Sequence, residues 1–175
     1  MAFSLKSSPG HLLRRAQQYA HDLYAKEVGA SGPTPRQFEV LHTVAQNEGL
    51  SQTDLVRATG IDRSTLADMI ARMIKKGHLS RHRTKADARA NAVSITQSGK
   101  RMLTSATAAV NRAEAGTIGV LPAAQRSSFI KALSAYAAAL DKMADAGAAP
   151  KKRGGKRPAK KAKKKAGKRR GRKGR

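Results

Sequence analysis

The chain has 175 residues, with 36 Lys or Arg against 11 Asp or Glu, a formal charge of +25. Its hydrophobic share is 39%, below the usual globular level, so part of it is expected not to pack. The absence of cysteine excludes disulfides, a thiol nucleophile, thiol redox sensing and cysteine-ligated metal. Charge of this size makes nucleic acid the first partner to consider and an anionic membrane surface the second.

The charge is uneven. Residues 150–175 hold 16 Lys or Arg and no acid. In the body, the excess gathers in 57–101, where 11 basic residues stand against three acids, Asp62, Asp68 and Asp87. The tail has no large apolar residue, so burial cannot offset the entropy of ordering it, and 147–175 is expected to be disordered. No segment approaches the length of a membrane span. The first ten residues lack the apolar core of a secretory signal, so a cytoplasmic protein is expected.

In chain order, Leu12, Leu13, Ala16, Tyr19, Ala20, Leu23 and Tyr24 recur at helical spacing over 10–29. Thr34 and Pro35 then open a second helix as N-cap and first helical residue, with Phe38, Leu41 and Val44 or Ala45 inward. Ser51-Gln52-Thr53-Asp54 has the form of a capping box for a short helix with Leu55, Val56 and Ala58 inward. After Gly60, Asp62 caps another helix, whose buried face is Leu66, Met69, Ile70, Met73 and Ile74 and whose end is marked by Gly77. Two short helices around a Gly-containing turn, over 51–76, form a helix-turn-helix pattern. Next, 78–84 loses the helical period and 92–96 alternates with β-branched residues, giving a hairpin wing over 78–96 with a basic tip. A long Ala-rich helix from Thr96 to about Ala115 follows, and Leu121-Pro122 starts the last, striped with Phe129, Leu133, Tyr136, Leu140 and Met143. The stripes of the first and last helices can pack together or against a second copy.

These segments together resemble the MarR family of winged-helix regulators. The resemblance rests on TPRQFEVL in the second helix, LSQTDLVRATGIDRSTLADMIARMIKKGHL across the helix-turn-helix, and DARANAVSITQSG in the wing. The last carries Asp87, Arg89, Ala90, Val93, Ile95, Thr96 and Gly99 in the family's register; Ala88 replaces a second basic residue, and Thr84-Lys85 stands where an Asp-Pro often opens the turn. The family implies a mainly α winged-helix fold over 8–145 and a homodimer held by the terminal helices. It also implies recognition of an inverted repeat in double-stranded DNA, usually as a repressor, often with release by a small aromatic or anionic effector. The tail lies outside the resemblance, and its Lys/Ala/Gly composition resembles linker-histone tails.

On the helix over 62–76, Arg63, Ser64, Thr65, Asp68 and Arg72 lie off the apolar face. Such a face suits the major groove, with Arg63 or Arg72 as candidates for guanine and Ser64 and Thr65 for phosphate or a thymine methyl. The plainer reading is a solvated polar face. Ser51 and Gln52 begin a helix whose N–H groups can meet phosphate, and Arg83 and Lys85 are further phosphate candidates. Arg89 at the wing tip suits the minor groove, and Asp87 can brace its guanidinium. Tyr19, Tyr24, Phe38 and His42 are candidates for a ligand cleft, against simple core packing.

No metal or cofactor is expected. His78 and His82 fall in a strand, roughly 13 Å apart, with no acid nearby to complete a site. No nucleophile with a base, phosphate loop or carboxylate pair marks an enzyme. The sequence therefore reads as a DNA-binding transcription regulator, working at the nucleoid, whose tail adds non-specific affinity. The alternatives are an architectural, DNA-compacting protein of the nucleoid and a membrane-surface or RNA-binding protein.

Overall fold

Start signals place the helices. The computed structural model describes residues 3–83 and 91–147. Helix α1 (Pro9–Val28) begins at a proline and ends at Gly29. Thr34 caps α2 (Pro35–Gln46) in a full capping box: its hydroxyl accepts the Gln37 N–H at 3.3 Å, and the Gln37 side-chain carbonyl accepts the Thr34 N–H at 3.1 Å. Strand β1 (Leu50–Ser51) leads into α3 (Gln52–Thr59), and Asp62 caps α4 (Arg63–Lys75). Gly77, at φ 76°, takes the left-handed turn out of α4 that a side chain would resist.

Strands β2 (Leu79–Arg83) and β3 (Asn91–Ile95) pair antiparallel, with Leu79 opposite Ile95 and Arg83 opposite Asn91. On its other edge β3 pairs with β1, Leu50 opposite Val93, so the sheet order is β1-β3-β2. The sequence pattern does not announce β1; two residues carry no period. Helix α5 (Gln97–Gly119), capped by Thr96, runs a turn beyond its expected end, and α6 (Ala123–Gly147) follows. Arg126 on α6 closes the end of α5, donating to the Gly119 and Leu121 carbonyls at 3.1 and 2.9 Å.

The main core joins α2, α3, α4 and the sheet through Val40, Leu41, Val44, Leu55, Leu66, Ile70, Met73, Leu79 and Val93, all essentially without exposure. The inward set differs from expectation at two places. Val40 is fully buried on α2 while Phe38 is half-buried, and Ala58 on α3 is exposed. A second, smaller cluster of Tyr24, Ala106, Val110 and Ala113 joins α1 to α5. The helices come close because α5 offers small residues there, Ala106, Ala113 and Gly116, to Tyr24 and Leu23 of α1, and an ion pair from Glu27 to Arg112 at 2.8 Å closes the seam. Helix α6 is different: from 123 to 143 every residue is exposed. No helix among the described residues is long and apolar enough to cross a membrane.

Candidate nucleic-acid interface

The burial of Leu66, Met69, Ile70 and Met73 fixes how α4 is rotated. At 3.6 residues per turn, the opposite sector holds Ser64, Asp68, Ala71 and Lys75, all exposed or partly so. Arg63 and Arg72 are about half a turn apart, on the two flanks of that sector. The sequence pattern alone set both arginines beside Ser64 and Asp68 on one face and passed over Ala71 and Lys75. A helical wheel drawn from the buried residues outward would have found them.

The start of α4 is fastened. The Asp62 carboxylate accepts the Thr65 N–H at 2.9 Å and the Ser64 hydroxyl at 2.7 Å. Those bonds, Thr65 first and Ser64 after it, hold the carboxyl well below the usual carboxylate range. Thr65 is half-buried, and Ser64 is turned back toward its cap. A polar latch joins α3 to α4: Gln52 Nε2 donates to the Arg63 carbonyl at 3.3 Å, and Arg63 Nη2 donates to Thr53 Oγ1 at 3.3 Å. Ser51 is engaged as a cap, its hydroxyl donating to Asp54 at 2.6 Å and accepting the Asp54 N–H at 3.2 Å. That contact lowers the Asp54 carboxyl pKa.

Arg83 ends β2, and its side chain lies outside the described residues, as do Lys85, Asp87 and Arg89 altogether. The tail over 148–175 lies outside them as well.

Beside this surface runs an open cleft of about 770 Å³. One wall is α1, with Arg14, Gln18, His21 and Tyr24; another is the start of α2, with Thr34, Arg36 and Glu39; the floor is the helix-turn-helix itself, with Thr59, Gly60, Ile61 and Met69. Of the four residues considered for a ligand cleft, Tyr24 lines this one. It is buried, and its hydroxyl donates to the Pro33 carbonyl at 3.0 Å. Burial, with Glu39 and Glu114 nearby, pushes its phenol up to about 12. Phe38 and His42 stack on each other at 6.1 Å, and Tyr19 is half exposed; none of the three lines the cleft. The Glu39 carboxyl is raised by desolvation, against the pull of Arg36.

A family model, MarR, matches residues 31–90. The transcriptional regulator HosA of Escherichia coli O157:H7 is 30% identical over 98 residues, 56% of this chain and 73% of HosA. The chain belongs to the MarR family. Among solved MarR-type structures, the PcaV transcriptional regulator of Streptomyces coelicolor, in complex with its natural ligand, is 28% identical. It aligns over 80% of this chain and 99% of PcaV with a TM-score of 0.74. BpsR of Bordetella bronchiseptica, whose DNA binding is regulated by 6-hydroxynicotinic acid, is 27% identical over 78% of this chain and 98% of BpsR, with a TM-score of 0.75. The MarR resemblance read from the sequence is therefore confirmed, and with it the mainly α winged-helix architecture. The protein is a DNA-binding transcriptional regulator and not an enzyme.

Proposed function

We propose that two copies of the chain bind a short inverted repeat in double-stranded DNA and act there as a repressor at the nucleoid. The observation that carries this reading is the outward sector of α4, polar and open between Arg63 and Arg72 on a helix locked at its start by Asp62. Laid in a major groove, the sector meets base edges and each flanking arginine meets a phosphate strand. Ser51 and Gln52 add contacts at the start of α3, and Arg83, Lys85 and Arg89, with Asp87 as brace, serve the wing.

The dimer is supported by α6. Phe129, Leu133, Tyr136 and Leu140 lie open on it, and Leu12 and Leu13 lie open on α1. A helix with that much uncovered apolar surface fits a second copy of itself. The winged-helix unit then spans 8–145, and the separate basic tail expected over 147–175 starts one residue later, since α6 runs through Gly147. That tail neutralises phosphate without choosing sequence.

The cleft supports release by a small effector. Arg14, Arg36 and His21 suit an anionic group, and Tyr24 an aromatic ring. An occupant touches Gly60, Ile61 and Met69, so it bears directly on the angle between α3 and α4. PcaV, solved with its natural ligand, and BpsR, whose DNA binding is regulated by 6-hydroxynicotinic acid, lend support by likeness.

Binding to the gene's own upstream DNA and to random DNA, across a salt series, with and without residues 150–175, tests the reading. A regulator keeps its preferred palindrome after truncation while the salt slope flattens, by about 0.9 for each phosphate that the tail no longer neutralises. Absence of a preferred site in both forms would instead favour an architectural, DNA-compacting protein.

A further inference from the structure

We propose that Asp68 is a base-selecting residue, reading a cytosine in each half-site. The inference rests on the DNA-reading role of α4 proposed above. Asp68 stands in the middle of the outward sector, between Ser64 one turn before it and Lys75 two turns after. It is a carboxylate in the sector that would approach a polyanion, with Arg63, Arg72 and Lys75 around it.

Three structural duties are unfilled. It is not the cap of α4, since Asp62 holds that place. It lies beyond the first turn, where a helix dipole rewards an acid. It has Arg72 four residues on, the favourable spacing for an ion pair, yet the ion pair present among the described residues is Glu27 with Arg112. A carboxylate left open in this sector is repelled by phosphates unless a base repays it.

Base chemistry then narrows the partner. An ionised carboxylate only accepts hydrogen bonds. In the major groove the amino donors are cytosine N4 and adenine N6. Adenine sets its N7 acceptor beside that donor, which repels the second carboxylate oxygen. Guanine offers N7 and O6, both acceptors, and thymine an acceptor and a methyl. Cytosine is the base that gives a donor with no adjacent acceptor of its own.

The test is selection from a randomised duplex library with the full-length protein, its Asp68→Ala variant and its Asp68→Asn variant. The wild type should select cytosine at one position of each half-site, about tenfold over other bases. Asp68→Ala should lose the preference at that position and keep the rest of the site. Asp68→Asn should shift it toward adenine, because an amide both accepts from N6 and donates to N7. An unchanged profile in Asp68→Ala would overturn the inference, as would a loss spread evenly over all positions. A wild type that selects no site at all would overturn the regulator reading instead, so the two failures are distinguishable. Equal far-ultraviolet circular dichroism of the three proteins shows that the substitutions leave the fold intact.

Discussion

The Thr96 hydroxyl donates to the Gly77 carbonyl at 2.6 Å, tying the exit of α4 to the end of the wing. The same group lies 3.0 Å from the His78 carbonyl and accepts the Gly99 N–H at 3.1 Å, so it also caps α5. Thr96→Val keeps the side chain's shape and removes all of these hydrogen bonds. The expected cost is about 1–2 kcal/mol in a urea melt. Preference for a specific site should fall more than affinity for random DNA, since the wing is no longer held at a fixed angle to α4.

Gly99 sits directly under this junction. A Cβ built on it would overlap the His78 carbonyl and crowd the Ile95 side chain. Gly99→Ala should destabilise the protein by about 1–3 kcal/mol through overpacking. A thermal melt that matches wild type would show that the strand and helix can separate freely there.

Acid should loosen the helix-turn-helix first. Asp54 and Asp62 both have folded-state pKa values below their ordinary 3.8, held down by the Ser51 and Thr65 hydrogen bonds respectively. Their contribution is present above pH 3.8 and is lost as pH falls through the folded values. An Asn amide oxygen can still accept the Thr65 N–H at the cap of α4 and the Ser51 N–H at the third position of α3, but it does not titrate. The Asp54→Asn, Asp62→Asn double variant should therefore show a shallower fall of melting temperature below about pH 4 than the wild type.

Leu133 and Leu140 lie two turns apart on the open face of α6. Leu133→Glu should leave a monomer in sedimentation velocity at concentrations where the wild type is a dimer. A buried, unpaired carboxylate at the interface costs several kcal/mol, enough to outweigh the burial gained nearby. Unaltered sedimentation would place the dimer interface elsewhere.

Arg63 and Arg72, on opposite flanks of α4, should behave alike. Arg63→Ala or Arg72→Ala is expected to weaken binding evenly across sequences and lower the salt slope by about 1. A loss confined to one guanine would assign the altered arginine to a base edge instead.

The local signals were the most legible in the sequence. Thr34, Ser51 and Asp62 each serve as the caps their spacing announced, because a cap is decided within four residues. The wing pairing follows from alternation in 92–96, and the strand observed is Asn91–Ile95. What escaped depended on neighbours. Strand β1 exists because β3 has a free edge beside it, which no two-residue pattern reveals. Val40 displaces Phe38 from the core because α2 is squeezed between α3 and α5, and that sets its rotation. The outward sector of α4 is a different case: its buried face, Leu66, Met69, Ile70 and Met73, is legible in the sequence, and a helical wheel drawn opposite it already includes Lys75.

Helix α6 carries a consequence for supply. Twenty-one consecutive residues, 123–143, without a buried side chain contribute little to the fold of a single chain. In the dimer proposed above their apolar area is repaid on pairing, so apparent stability should rise with protein concentration, by about 1.4 kcal/mol per tenfold as a ceiling for a coupled dimer. A scarce regulator of this design is both a weaker binder and a shorter-lived protein, and its abundance acts on its own persistence before any gene is touched.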